Sequence, residues 1–302
     1  MKLGVSLTSS HFTRDVREAA GWMIERAAAA RESGLDSLFI GDHHAAPAPY
    51  YQNTPMLGRL LAEWGTNPAG CLFLLPLWNP VLVAEQIGTL ASIHRGRFIM
   101  QCALGAGASQ FEGMGASLRT RPSAFEEGLD IVRRLLSGET VSGSTRYPRI
   151  KDARIAPVPP EPVDVWIGGS VEASVDRAAR LGDGWLSGPE LTPELAAHWA
   201  DYYRNRCEEY GRTPAAIAIR RDVYVGETDA EAAAVAEPLI DAGYRGIEPE
   251  SLVYGSVDTV IAKMKAYEAR GFTDVIIRHL TDDQPKVLAS MKRLREVREA
   301  LI

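Results

Sequence analysis

The chain has 302 residues, 46% of them hydrophobic and 24% charged, and a formal net charge of −6. That is the composition of a soluble chain with a real core, and the acidic balance excludes the basic footprint of a nucleic-acid binder. No run approaches the roughly 18 apolar residues of a membrane span. The N-terminus MKLGVSLTSSHFTRD lacks the apolar stretch and cleavage site of a secretion signal. Cys71, Cys102 and Cys207 are odd in number and far apart, which suggests neither a disulfide framework nor a zinc site. The expectation is a reduced, cytoplasmic protein without a membrane or nucleic-acid partner.

Short apolar runs alternate with longer amphipathic ones, the pattern of βα units and a parallel sheet. Strands buried on both faces read as continuous apolar runs. They are predicted at 3–7, 37–41, 70–75 and 98–104, then at 164–168, 184–187, 217–225 and 274–278. The first helix, 15–33, gathers Val16, Ala19, Ala20, Met23, Ala27 and Ala30 on one side and stops at Gly34. Further helices fit 80–94, 120–137, 171–181, 193–210, 229–241, 256–270 and 285–300. Eight alternations without a Gly/Ser linker predict a single (β/α)8 TIM barrel over residues 1–302. A doubly wound sheet would place a glycine fingerprint after the first strand, where LTSSHF stands instead. Residues 138–163, rich in Pro and Gly, form an insertion between strands 4 and 5. They are predicted as an irregular excursion over the active-site mouth.

Active sites of such barrels form at the C-terminal ends of the strands. Strand 2 ends in Gly41-Asp42-His43-His44, two imidazoles beside a carboxylate, which can bond a ligand or shuttle a proton near neutral pH. A purely structural cluster is the alternative, and no further ligand spacing favours a metal. Strand 3 runs into Leu75 and Pro76, with Pro80 beyond, so backbone rather than side chain is expected to meet a ligand. Gly105 and Gly107 end strand 4 and allow close approach, or simply make a turn. Gly168-Gly169-Ser170 ends strand 5 and opens a helix, where free N–H groups and a hydroxyl make a phosphate cradle; Ser170 as a plain N-cap fits equally. Trp185 follows, as core or as ligand contact. Arg278 and His279 close the last strand, and an arginine there suits a phosphate or an acidic substrate group. Tyr50 and Tyr51 either line an apolar pocket or stand exposed, and Arg121 with Glu126 or Glu127 reads as a helix-surface pair.

Together and in order, these landmarks carry a resemblance. They are Asp42-His43-His44, Asn79-Pro80-Val81-Leu82-Val83-Ala84-Glu85-Gln86, Arg95-Gly96-Arg97-Phe98, Gly105-Ala106-Gly107, Val165-Trp166-Ile167-Gly168-Gly169 and Leu181-Gly182-Asp183-Gly184-Trp185. Over nearly its whole length the chain resembles the luciferase-like monooxygenase superfamily of flavin- and F420-dependent oxidoreductases. The resemblance implies a ring cofactor across the strand ends, its phosphate near Gly168, Gly169 and Ser170, and His43 nearest the reacting face, with His44 as a second catalytic candidate. Asp42, Leu75, Pro76, Gly105, Gly107, Trp185 and Arg278 complete the implied cofactor contacts. Flavin users often carry Glu before paired histidines and deazaflavin users Asp before a single one, so Asp42-His43-His44 departs from both. The lead expectation is a two-component monooxygenase using reduced FMN and oxygen on a small organic substrate, with a separate reductase and a homodimeric state. The alternatives are an oxidoreductase that transfers hydride with coenzyme F420, and a non-catalytic flavin-binding protein.

Overall fold

The computed structural model describes residues 1–13 and 15–302. In chain order its first elements are β1 (Lys2–Leu7), α1 (Val16–Glu32), β2 (Ser37–Ile40), α2 (Asn53–Trp64), β3 (Ala69–Leu74), α3 (Pro80–Ile93), β4 (Phe98–Ala103), α4 (Ala108–Gly113) and α5 (Arg121–Leu136). After the excursion come β5 (Asp164–Gly168), α6 (Glu172–Leu181), β6 (Gly184–Ser187), α7 (Pro193–Glu209), β7 (Ala216–Val225) and α8 (Asp229–Asp241). The chain ends with β8 (Val253–Gly255), α9 (Val257–Ala269), β9 (Asp274–His279) and α10 (Gln284–Glu299).

The strand order is β6-β5-β4-β3-β2-β1-β9-β7-β8, and an additional β6–β7 pairing closes the ring. Eight parallel strands therefore form the barrel and β8 stands outside it. These eight are the eight predicted from sequence, and the fold is the expected (β/α)8 barrel. Local chemistry explains the helix starts. Asp15, Asn79, Thr192, Thr228 and Asp283 each accept a backbone N–H of the first turn, and Pro80 and Pro193 occupy positions whose N–H would go unused.

Three elements escaped the sequence reading: α2, the six-residue α4 and β8. The stripe Leu57, Leu60, Leu61, Trp64 buries one face of α2, but its N-cap Gln52 makes no side-chain capping bond, its amide donating instead to His43 O at 3.1 Å, so the usual start signal is missing. β8 has only three residues and forms because β7, ten residues long, outruns its ring partners. β7 pairs with β6 through Ala216–Ile219, with β9 through Ala218–Val223, and with β8 through Val223–Val225.

Contacts group the chain into two compact units. The first holds Met1–Thr8, Thr13–Phe39 and Trp166–Ile302, and the second Ser9–Phe12 and Ile40–Val165. Within the first, Trp185 lies fully buried against Tyr203 and Phe272, with ring centroids 5.7 and 6.3 Å away. Within the second, the 138–163 excursion is tied to the outer helices. Val141 and Ile155 join Ala84 of α3 and Ile131 and Leu135 of α5 in one buried cluster. Arg146 N donates to Glu127 Oε2 at 2.8 Å, and Tyr147 Oη to Ala124 O at 3.4 Å. The excursion thus follows the flank of α5 up to its first turns, with more buried apolar anchorage than its Pro/Gly content suggests.

Candidate functional site

The second unit carries the end of β2. Asp42, only 7% exposed, works inward. Its Oδ2 accepts Leu74 N–H and Trp78 Nε1–H, both at 2.8 Å. These bonds fix the point where β3 stops and the chain turns through Leu75–Leu77. Asp42 is thereby a positioning residue for the end of β3, with Oδ2 carrying both bonds and Oδ1 accepting none.

The two histidines part company. His44 is buried, its Nε2 lies 3.1 Å from Asp42 Oδ1 outside hydrogen-bond alignment, and its ring meets Trp78 edge-on at 5.1 Å. Its backbone N–H donates to Gln110 Oε1 at 2.7 Å, while Gln110 Nε2 reaches back to Ala106 O. His43 is half-buried, and its ring tilts against Tyr50 with centroids 5.5 Å apart. A Cβ on Gly41 would sit 2.8 Å from Tyr50 Oη, so glycine lets the tyrosine close over the strand end. Tyr51 N–H donates to Ser9 O, and Ser10 bridges Tyr50, which pins both tyrosines near the β1 loop. Neither is a fully exposed loop residue.

At the end of β3, Leu75 is 1% exposed and Pro76 half-buried, so Leu75 offers backbone rather than side chain. Gly105 and Gly107 after β4 both adopt positive φ, +73° and +86°, which explains glycine there. A Cβ on Gly105 would crowd Phe111 and Leu74, whereas none would meet anything at Gly107. Arg121 reaches the end of β4. Its Nη1 donates to Gly105 O at 2.8 Å, and Glu127 serves the excursion. Burial, and then Asp42, push the Cys71 thiol well above its usual range, so it is an inert core group.

The first unit carries the predicted phosphate cradle, with corrections. Gly169 N–H is already spent on Leu186 O at 3.2 Å. Ser170 is not the N-cap: α6 starts at Glu172, and Ser174 Oγ accepts the Val171 N–H at 3.1 Å. Ser170 Oγ donates to Glu190 Oε1, so a carboxylate now occupies the hydroxyl. Trp185 cannot reach a ligand by its side chain; its Nε1 holds Gly169 O at 2.9 Å and so shapes the turn. The turn still fits a phosphate in two respects. A Cβ on Gly169 would collide with Ser174, which keeps the backbone bare, and Ser170 brings a hydroxyl to the start of a ten-residue helix. A bound anion would have to replace the exposed Glu190 carboxylate at that hydroxyl.

Sequence reading missed a charged cluster in the same unit. Asp222, fully buried, accepts from Arg220 Nη2 at 2.9 and 3.2 Å, from Arg245 Nη1 at 3.0 Å and from Tyr244 Oη at 2.8 Å. Register places Asp222 beside Arg278, whose Nε donates to Thr8 Oγ1 at 3.2 Å. Burial alone would raise the Asp222 carboxyl, but Arg220, Arg278 and Arg245 outweigh it and hold it below its usual range. The signal was present: three successive charges, Arg220-Arg221-Asp222, interrupt an apolar strand. Arg221 faces the other way, donating to Tyr267 Oη at 2.6 Å and Leu191 O at 2.8 Å.

A family model for luciferase-like monooxygenases matches residues 1–251. The chain belongs to this family. Among curated relatives, it is 29% identical over 185 residues to an F420-dependent glucose-6-phosphate dehydrogenase of Nakamurella multipartita, covering 57% of this chain and 53% of that protein. A second protein of that name, from Microbacterium testaceum, is 29% identical over 55% of this chain and 52% of its own length. The chain thus spans about half the length of the curated relatives it matches. Among solved structures, the FMN-bound oxygenating constituent of 3,6-diketocamphane monooxygenase from Pseudomonas putida superposes with a TM-score of 0.84 at 20% identity, covering 99% of this chain and 98% of that one. An F420-dependent secondary alcohol dehydrogenase bound to an F420-acetone adduct gives 0.80 at 17%, covering 100% and 99%. These two likenesses establish the fold.

Proposed function

We propose that this luciferase-like oxidoreductase works with coenzyme F420 and moves hydride between the deazaflavin and a small organic substrate. The observation that carries the reading is the division of labour at the end of β2. His44 is locked to the Asp42–Trp78 network, while His43 keeps a half-exposed ring beside Tyr50. A half-exposed imidazole at a barrel strand's C-terminal end is placed to hold or take a proton as the substrate changes oxidation state. Curated relatives at 29% identity named for F420 support this choice of cofactor over the reduced FMN that leads the sequence reading.

When bound, the deazaflavin supplies the hydride acceptor; the chain supplies binding, orientation and the proton. Asp42 sets the β3 turn and Leu75 offers its backbone there. Gly169 and Ser170 would receive the cofactor's phosphate at α6. The second reading, a monooxygenase fed with reduced FMN by a separate reductase, rests on the second histidine, His44, which the flavin-using pattern also carries. Absorbance titration of the purified protein with F420, FMN and reduced FMN separates the two. Saturable F420 binding with little affinity for FMN supports the proposal. Tight binding of reduced FMN, with oxygen consumed in the presence of a reductase, supports the second reading. A protein that binds neither is not an enzyme of this chemistry.

A further inference from the structure

We propose that Arg220, Arg245 and Arg278 form a seat for an oxyanion carried by the substrate: a phosphate, sulfonate or carboxylate group. The site rests on the oxidoreductase reading only in calling its ligand a substrate. Three guanidiniums surround one carboxylate, Asp222, so the cluster holds two more positive charges than negative ones. Asp222 is saturated by Arg220, Arg245 and Tyr244. Nothing is left on it for Arg278. Among the described residues the Arg278 guanidinium makes one side-chain hydrogen bond, to the neutral Thr8 hydroxyl, and no salt bridge. Five N–H donors on a largely buried cation call for more.

The neighbouring charge does not resolve the imbalance. Arg26, within electrostatic reach of Arg278, has its own partners in Asp282 at 3.9 Å and Gln284 at 2.7 Å. A largely buried cation that must share its one carboxylate, Asp222, with two other arginines is costly. Burial, then Arg220 and Arg245, weaken the hold of Arg278 on its proton, the response of a site short of one anion.

Placement adds the functional argument. Arg278 is the penultimate residue of β9, and the register sets Asp222 beside it. C-terminal strand ends are where such barrels do their chemistry. Arg245 reaches Asp222 from the α8–β8 loop with a backbone φ of +51°, a strained conformation for a residue other than glycine. Its side chain is 41% exposed and that of Arg220 21%, so two cations meet solvent beside a third that is largely buried. Planar forks of this kind bind oxyanions through paired hydrogen bonds.

The test is calorimetric titration of inorganic phosphate into the purified protein, with and without saturating cofactor, for the wild type, Arg278→Met and Arg245→Met. Arg245 is partly exposed, so its variant keeps the fold testable where Arg278→Met does not, and circular dichroism monitors both. The expected result is one saturable phosphate site in the wild type, weakened at least tenfold in each folded variant, with cofactor affinity unchanged. Loss of cofactor affinity in the variants, with no phosphate uptake by the loaded protein, would assign the cluster to the cofactor's own phosphate and overturn the proposal. Absence of phosphate binding in the wild type would overturn it too. If the protein binds neither F420 nor FMN yet takes phosphate at these arginines, the anion seat stands and the cofactor reading falls.

Discussion

His43 and His44 share a backbone turn and little else. His44 is enclosed by Asp42, Trp78 and Gln110, so His44→Ala removes packing and a polar contact together. It should cost about 1–3 kcal/mol of stability, read as a lower melting temperature. His43→Ala removes a half-exposed ring against Tyr50 and should leave melting nearly unchanged. If His43 carries the proton, turnover in that variant falls by about 10²–10⁴-fold while cofactor affinity holds. Equal, mild losses of turnover in the two variants would take His43 out of the chemistry. At Gly169 the expectation is steric. Gly169→Val drives a side chain into Ser174, and overpacking of that kind costs roughly 1–3 kcal/mol. Cofactor affinity should drop with it, and a folded variant with full affinity would show that the phosphate lies elsewhere. Much of this was legible at the residue level, because strand-end position alone singles out Asp42, His43, Gly105, Gly169 and Arg278. What a lone sequence hides is which side chains are already engaged. The bond from Trp78 to Asp42 spans 36 positions, and nothing in either local motif announces it.

Among the elements, the strands were read from continuous apolar runs, and even four-residue β6 was found that way. α2 went unseen although Leu57, Leu60, Leu61 and Trp64 repeat at helical spacing, because the Pro-rich approach and the absent cap masked its start. β8 could not be read, since its three residues are extended only by pairing with the overhang of β7. The 138–163 segment shows how composition can mislead about anchorage. Val141 is fully buried and bonds Ala153 in both directions, at 2.9 and 2.8 Å. Hydrogen exchange should therefore be slow at the Val141 and Ala153 amides and fast at the exposed backbone near Arg149. Val141→Ala should cost about 1–3 kcal/mol and raise exchange across the segment. Uniformly fast exchange in the parent protein would show that the cluster with Ala84, Ile131 and Leu135 does not hold it.

At the scale of the whole molecule, acid stability should report on His279. The side chain is buried and its Nε2 has no hydrogen-bond partner. Burial, reinforced by Arg26, lowers its pKa from 6.5 to about 3. The unfolded chain therefore binds a proton between pH 6.5 and 3 that the folded chain refuses, and stability is lost as pH falls through that window. The slope from this one group approaches about 1.4 kcal/mol per pH unit. Between pH 6.5 and 5 most carboxylates remain ionised, so denaturant unfolding there reports on His279 together with buried His94, whose pKa burial also lowers. His279→Leu should flatten that limb, and an unchanged slope would mean that the ring is solvated in the folded protein. The cysteines allow no comparable reading, since all three are buried.

The length of β7 has a consequence for how the barrel tolerates change. Its adjacent arginines do opposite work: Arg220 turns to Asp222, while Arg221 turns away to hold the carbonyl of Leu191. Strand side chains alternate, so a slip of one residue exchanges the two faces completely. An insertion or deletion in the 211–215 turn would carry Asp222 and Arg220 together against the helices, away from Arg245 and Tyr244, and strip the 188–191 loop of its clasp. Apolar neighbours such as Ile217 and Ile219 would survive that exchange with modest loss, but this charge pattern would not. Arg220-Arg221-Asp222 therefore acts as a reading frame for the closing strand, making misaligned closure of the ring electrostatically untenable.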